Sequence, residues 1–259
     1  MIMKKFPVKA AAVILATALF AASLGGCGKK SPGYTMYSGS SKAETYDING
    51  SDAEYEYTDI ANYTEPVKGE EIVVMTIKDK GTVKFKLFPD LLPRACANFV
   101  GHVVNGTYDG LTFHRVISDF MIQGGDPLGN GQGGESIWGG RFDGGTSGYL
   151  CNVKGALAYA NSGSTSTDGS QFYIVVGQKF TDETVFEKYK GKDFNYSEKA
   201  RSAYFTDGGA PWLDGGYTVF GQVIEGMDIV EDICSTTVVD SNDKPLDDVI
   251  IEKVEIAEY

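Results

Sequence analysis

Histidine and cysteine are scarce in this chain of 259 residues, which has two histidines and four cysteines. Zinc and similar ions are held by closely spaced His and Cys residues. Cys96, Cys151 and Cys234 lie far apart and have no metal-ligand spacing. The sequence therefore predicts no metal site. No cofactor is predicted either. We expect these three thiols to pack in the core or to form at most one disulfide.

Basic residues are also few, with 23 Lys and Arg against 35 Asp and Glu and a net charge of −12. Nucleic acids are bound through clusters of Lys and Arg that neutralise their phosphates. The acidic balance therefore argues against nucleic acid as the main partner of this protein.

The apolar run near the N-terminus, Ala10–Ala22, is too short for a membrane-spanning helix. It has 13 residues, whereas a helix needs about 20 to cross a bilayer. It follows three lysines at 4, 5 and 9, which is the arrangement of a secretory signal peptide. Residues 1–26 are therefore predicted to be a cleaved export signal.

Leu24-Gly25-Gly26-Cys27 directly follows this run and resembles a bacterial lipobox, in which the cysteine is acylated and becomes the new N-terminus. The pattern predicts Cys27 as a lipidation site and the extracytoplasmic face of the cell membrane as the location. An ordinary signal peptide with an incidental cysteine is the alternative. Cleavage would leave a net charge of −15, which anionic lipids repel, so membrane attachment would depend on the acyl chains.

Residues 27–65 are predicted to form a flexible linker after the lipidated cysteine. They are rich in Ser, Gly, Asp, Glu and Tyr and have few aliphatic residues. Their tyrosines follow neither a helical nor a strand period, which is typical of a solvated spacer. A tyrosine-rich interaction segment is the alternative. One folded domain is then expected over residues 66–259.

Within this domain, short apolar runs alternate with glycine clusters, which favours antiparallel strands of a barrel or sandwich over βαβ units. A hairpin is predicted first, and a proline near the start of the next periodic segment favours a helix there. The predicted strands are 72–77, 82–88, 112–117, 120–123, 155–160, 171–176, 217–224 and 249–256, and the predicted helices are 93–105 and 227–234.

Three features resemble parts of cofactor-binding or catalytic motifs but lack the sequence context that those motifs require. Gly129, Gly131 and Gly134 match a dinucleotide-binding fingerprint in spacing, but no βαβ unit surrounds them. Ser170 lacks the Gly-x-Ser-x-Gly context of a hydrolase nucleophile. His114 is interpreted as a hydrogen-bonded structural histidine. The sequence therefore argues against dinucleotide-binding and hydrolase activity.

The segment Phe113–Asp126 carries the most specific pattern. In extended chain, the odd-numbered residues Arg115, Met121 and Gln123 would lie on one face. Phe120 would lie on the opposite face. Neighbouring large apolar residues would form a pocket wall beside an arginine and a glutamine on one face. A strand with one exposed arginine is the alternative on this segment alone.

Four segments, in order, resemble the cyclophilin-type peptidyl-prolyl isomerases. They are Phe113–Asp126, Gly155–Ser162, Gly169–Ile174 and Trp212–Gly221. The resemblance covers about Glu70 to Ile256. It implies a mainly β fold, a closed eight-stranded antiparallel barrel capped by two helices.

The resemblance also implies the roles of individual residues. Arg115 and Gln123 would be catalytic, and the peptide would be bound by Phe120, Met121, Ala160, Asn161, Gln171, Tyr173, Trp212, Leu213 and Tyr217. The tryptophan resembles that of cyclosporin-sensitive members, so cyclosporin binding is predicted. Tyr173 and Tyr217 depart from the Phe and His common at these places in the family.

Residues 179–211 form a mostly polar insertion relative to single-domain eukaryotic members of this family. Thr181–Tyr189 and Ser197–Phe205 are predicted to be partly helical. Because the insertion ends beside Trp212, it is expected either to border the site or to be a surface loop without a role in it.

The predicted function is isomerisation of X–Pro bonds in unfolded exported proteins at the cell surface. The alternative is a proline-binding or chaperone module of the same fold with little turnover. Intact Arg115, Gln123 and Phe120 favour catalysis.

Overall fold

The computed structural model describes residues 59–189 and 196–259. The predicted export signal, Cys27 and most of the predicted linker lie outside these residues. The described part contains one sheet of eight antiparallel strands. In chain order they are β1 (Glu71–Ile77), β2 (Gly81–Leu87), β3 (Arg115–Ile117), β4 (Met121–Gly124), β5 (Ala156–Tyr159), β6 (Phe172–Val175), β7 (Val219–Glu225) and β8 (Ile251–Glu258).

The prediction of a closed barrel is wrong, because the sheet is a curled half-barrel. Its strand order is β3-β4-β6-β5-β7-β2-β1-β8, with β3 and β8 at the two edges. In the described residues these edges meet through an isolated bridge between Thr112 and Ile250, just before each strand begins. The chain around Thr112 is irregular and β3 has only three residues, so no continuous ladder closes the sheet.

Alternating burial explains why the first two strands form where the sequence predicts them. Apart from Lys86, which is buried in an ion pair, β2 alternates: Val83, Phe85 and Leu87 are buried and Thr82 is exposed. This two-residue period lets one face pack on a core. The turn before β2 places Gly81 at φ +128°, a conformation that side chains with a Cβ rarely adopt. Strands β1 and β2 pair antiparallel on either side of this turn, so the predicted hairpin is confirmed.

Four α-helices lie in the described part of the chain: α1 (Pro93–Val104), α2 (Thr184–Tyr189), α3 (Glu198–Thr206) and α4 (Met227–Thr236). The two predicted capping helices correspond to α1 and α4, which contact the sheet. The two predicted helical stretches of the insertion correspond to α2 and α3. Within residues 59–189 and 196–259, no helix has the length and apolar character needed to cross a membrane.

The main core is aromatic and lies against the concave sheet. Phe172 of β6 is fully buried, and its ring meets those of Phe99, Tyr108 and Phe113 edge-on. Edge-to-face aromatic pairs stabilise beyond the area they bury. Because Phe172 stands between Gln171 and Tyr173, this core fixes the strand that carries two predicted site residues.

The insertion has a second apolar cluster, formed with Ile60 and residues near β5. Its members are Ile60, Cys151, Val153, Phe186, Tyr196, Ala200, Ala203 and Tyr204. Asn62 is also buried, and its side chain hydrogen-bonds Gln222 and the backbone of Cys151. Packing against the domain therefore begins before the boundary predicted at residue 66.

Cys96, Cys151 and Cys234 are buried free thiols. Burial raises the pKa of each, most strongly for Cys96 and Cys151. A raised thiol pKa disfavours the reactive thiolate. These cysteines act as packing residues, which was one of the two outcomes left open by the sequence.

Candidate active site

Strand register aligns three predicted site residues from separate chain segments. Arg115 of β3 lies opposite Gln123 of β4, and Gln123 lies opposite Tyr173 of β6. Residues directly opposite one another in antiparallel strands share a face of the sheet. Met121 precedes Gln123 by two positions and lies on that face as well. The shared face that the sequence predicted for Arg115, Met121 and Gln123 is therefore confirmed.

Arg115 stands at the solvent edge of this row. Its side chain is 44% exposed, and Nε lies 3.4 Å from Oδ2 of Asp243. The Asp243 carbonyl also accepts a hydrogen bond from the Val116 N–H, which ties the turn at 240–244 to β3. This ion pair engages one of five guanidinium N–H donors. Sequence reasoning missed Asp243, because its polar turn lies more than a hundred residues away with no motif connecting the two.

Gln123 and Gln171 form a relay of side-chain amides beside the arginine. Gln123 Nε2 donates to Gln171 Oε1 at 2.9 Å, and Gln171 Nε2 donates to the Gly133 carbonyl at 2.8 Å. Gly133 belongs to the glycine-rich loop, in which 11 of the 25 residues from 124 to 148 are glycine. The relay therefore fixes both amide orientations and joins the row to that loop.

The carboxylate of Asp126 organises the start of the same loop. It accepts hydrogen bonds from the N–H groups of Leu128, Asn130 and Gly131. Burial acts to raise the pKa of Asp126, but these backbone donors outweigh it and hold the pKa below its ordinary value. The loop beside Gln171 is thus held by a charged cap.

Aromatic contacts bring together the predicted pocket residues around the Tyr173 end of the row. The Phe120 and Trp212 rings lie 5.5 Å apart, and those of Tyr173 and Tyr217 meet edge-on at 5.9 Å. Met121 and Leu213 are buried beside them in the same apolar cluster. The result is an apolar wall beside the arginine, of the kind that a compact hydrophobic ring fits.

Two further predicted site residues, Ala160 and Asn161, directly follow strand β5. The Ala160 N–H donates to the Gln171 carbonyl, and Asn161 Nδ2 donates to the Gly216 carbonyl at 3.2 Å. Asn161 thereby joins the segment after β5 to the turn that carries Tyr217.

A buried polar network lies behind the pocket wall. The Tyr173 hydroxyl donates to Asn152 Oδ1 at 2.6 Å, and Asn152 donates to Asp214 Oδ1 through both its N–H and its Nδ2. The Tyr204 hydroxyl donates to the other oxygen of Asp214. Burial raises the pKa of Asp214 to about 6, although these donors oppose it. The hydroxyl in which Tyr173 departs from the family thus has a buried partner.

Sequence reasoning missed this network. Asp214 directly follows Trp212-Leu213, so its place in the motif was a usable signal. Asn152 and Tyr204 lie in segments without any motif, and only the fold brings them together.

His114 and Ser170 have no arrangement for nucleophilic chemistry. His114 is buried and neither ring nitrogen has a hydrogen-bonding partner among the described residues, so its interpretation as a hydrogen-bonded histidine is wrong. Burial lowers its pKa, which keeps it neutral at neutral pH. The Ser170 hydroxyl donates to the Gly125 carbonyl at 2.6 Å and thereby holds the chain after β4.

The sequence model of the family described as cyclophilin type peptidyl-prolyl cis-trans isomerase matches residues 72–256. The chain belongs to this family. A Staphylococcus haemolyticus protein named for peptidyl-prolyl cis-trans isomerase activity is 46% identical to it over 199 residues, which are 77% of this chain and 98% of the relative. A Staphylococcus aureus protein of the same name is 46% identical over 202 residues, 77% of this chain and all of that protein.

Among solved structures, a cyclophilin-type isomerase of Cryptosporidium parvum is similar with a TM-score of 0.57 and 32% identity. The match covers 73% of this chain and 99% of that one, whose crystals were obtained in the presence of the dipeptide Ala-Pro. Family and relatives together identify this chain as a cyclophilin-type peptidyl-prolyl cis-trans isomerase.

Proposed function

We propose that this isomerase binds X–Pro segments of unfolded polypeptides in the pocket formed by Phe120, Met121, Tyr173 and Leu213, and that Arg115 is its catalytic residue. The observation that carries the proposal is the register-aligned row of Arg115, Gln123 and Tyr173 beside that wall. The Ala-Pro dipeptide used with the Cryptosporidium relative supports the choice of substrate.

The reaction needs no covalent step, because the barrier is the amide resonance lost when the X–Pro bond twists. That barrier is about 18–20 kcal/mol. In the twisted state the proline nitrogen regains its lone pair and can accept a hydrogen bond from the Arg115 guanidinium. A guanidinium has five N–H donors and no acceptor, so Arg115 can act only as a donor here. Gln123 would hold the peptide backbone beside it.

Arginine alone does not supply the whole acceleration. A 10⁵-fold increase in rate requires about 7 kcal/mol, whereas one charged hydrogen bond contributes about 1.5–3 kcal/mol. The pocket supplies the remainder by presenting a less polar medium to the bond, which favours the less dipolar twisted amide.

We further propose that Cys27 carries an acyl anchor and that the enzyme serves exported proteins at the extracytoplasmic face of the membrane. The support is the sequence Leu24-Gly25-Gly26-Cys27 directly after the apolar run. Exported chains arrive unfolded with about 10–30% of their X–Pro bonds cis, so they are a natural substrate class.

Full-length protein expressed in a bacterium that processes lipoproteins is expected to enter the detergent phase of a phase-separating detergent. The Cys27→Ser variant should remain in the aqueous phase, because each acyl methylene contributes about 0.8 kcal/mol to partitioning. Ser31→Ala is the matched control and should partition like the wild type. Equal partitioning of wild type and Cys27→Ser would contradict the anchor.

We also propose that cyclosporin binds against Trp212, whose half-buried ring packs on Phe120 at the pocket edge. A buried tryptophan anchor contributes about 2 kcal/mol or more to an interface, so Trp212→Ala should weaken cyclosporin binding by at least about 30-fold. Titration calorimetry measures this, and Trp138→Ala controls for loss of a tryptophan. An unchanged affinity in Trp212→Ala would refute the site.

A further inference from the structure

Two tyrosines of the insertion hold the segment that carries the pocket wall. The Tyr196 hydroxyl donates to the Pro211 carbonyl at 2.9 Å, and the Tyr204 hydroxyl donates to Asp214 Oδ2. These acceptors lie at the two ends of the short 3-10 turn that carries Trp212 and Leu213. The turn is therefore held at both ends by hydrogen bonds from the insertion.

The insertion also contacts the wall directly. Phe180 lies beside Trp212 with ring centroids 6.3 Å apart, and it meets the Tyr204 ring edge-on at the same distance. Trp212 is thus packed between Phe120 on the side of the row and Phe180 of the insertion. The insertion therefore contacts a residue of the proposed site directly.

Helix α3, which carries Tyr204, is itself fixed at both ends by the segment that enters the domain. The N-terminal cap residue Ser197 donates its hydroxyl to Asp59, and Tyr63 donates to Asp207 at the C-terminal cap at 3.0 Å. Ile60 packs into the insertion cluster between these two contacts. The helix therefore has a defined position from which to hold the turn.

From these contacts we propose that Tyr204 and Tyr196 are positioning residues that set the place of Trp212 and Leu213 and hence the fit of the substrate. Neither tyrosine contacts the proline; each acts through the 3-10 turn. The proposal rests on the proposed function, because it assumes that this wall grips the ring. It assigns the insertion a role in substrate binding.

The pocket wall grips the proline ring in the planar and in the twisted amide alike. An interaction made equally in both states affects KM and leaves kcat unchanged. Arg115, in contrast, acts on the twisted amide and governs kcat. The two proposals therefore predict different kinetic changes.

The experiment compares Tyr204→Phe and Tyr196→Phe with wild type in a steady-state isomerase assay on an Ala-Pro peptide. Loss of one hydroxyl is expected to raise KM by about 2- to 10-fold, the equivalent of one hydrogen bond, with kcat within about twofold. Tyr108→Phe is the matched control: its buried hydroxyl donates to the Ser170 carbonyl, away from the turn, and its KM should stay at the wild-type value.

A wild-type KM in both folded variants, or a KM raised as much in Tyr108→Phe, would overturn the inference. If Tyr204→Phe does not fold, Tyr196→Phe carries the test with the same criteria. The proposed function is tested separately by Arg115→Ala. A wild-type kcat in that variant would overturn the site assignment, whatever the KM of the tyrosine variants.

Discussion

Replacing Arg115 by alanine is expected to lower kcat on an X–Pro peptide by about 10- to 150-fold, the kinetic equivalent of one charged hydrogen bond of about 1.5–3 kcal/mol. The loss should appear in kcat, because the proline nitrogen accepts a hydrogen bond only when the amide twists. Arg115 is half-exposed and its side chain pairs with Asp243 near the surface. The substitution should therefore leave the fold intact. A protease-coupled assay measures kcat, and circular dichroism of the same sample checks the fold.

Arg94→Ala is the matched control for this experiment. Arg94 is also an arginine near the surface, and its guanidinium lies over the Trp138 ring at 5.3 Å, away from the aligned row. Its kcat should remain within about twofold of wild type, because Arg94 is not part of the row. Loss of its cation–π contact should lower stability by only about 0.5–1 kcal/mol. A kcat for Arg115→Ala as high as that of Arg94→Ala would exclude the arginine mechanism.

Replacing Phe172 by alanine is expected to lower the free energy of unfolding by about 3–5 kcal/mol, the cost of truncating a buried phenylalanine. Phe172 is fully buried, and three other aromatic rings meet its edges and faces. A smaller side chain would leave a cavity that the rigid sheet cannot fill. Urea unfolding followed by circular dichroism gives the difference directly.

Leu128→Ala provides the contrast, because Leu128 is a large apolar residue that is 66% exposed. An exposed substitution of this kind usually changes stability by no more than about 0.5 kcal/mol. A Phe172→Ala variant as stable as Leu128→Ala would mean that the aromatic core does not carry the stability assigned to it.

Local patterns were sufficient to predict most elements of this fold. The alternation in β2, the proline at the start of α1 and the apolar runs between glycines each record local rules of burial and backbone conformation. The face shared by Arg115, Met121 and Gln123 follows from the same two-residue period. These features depend on residues that are close in sequence, so the sequence is sufficient to predict them.

Features that depend on distant segments were missed. Closure of the sheet depends on whether the chain around Thr112 can pair regularly with that before β8, and it pairs there through an isolated bridge. Asp243 reaches Arg115, and Tyr204 reaches Asp214, only after the chain has folded. No composition or spacing encodes such meetings, so the supports of the site were invisible although its central residues were not.

The most direct test of the central claim is exchange NMR on an Ala-Pro peptide at equilibrium with a small amount of wild-type protein. Uncatalysed interconversion takes tens to hundreds of seconds, so the peptide alone gives no exchange peaks between its cis and trans signals on a shorter mixing time. Turnover predicts strong cis–trans exchange peaks with the wild type and much weaker ones with Arg115→Ala. Peptide signals that shift on binding without any exchange peaks would contradict catalysis and identify a proline-binding module instead.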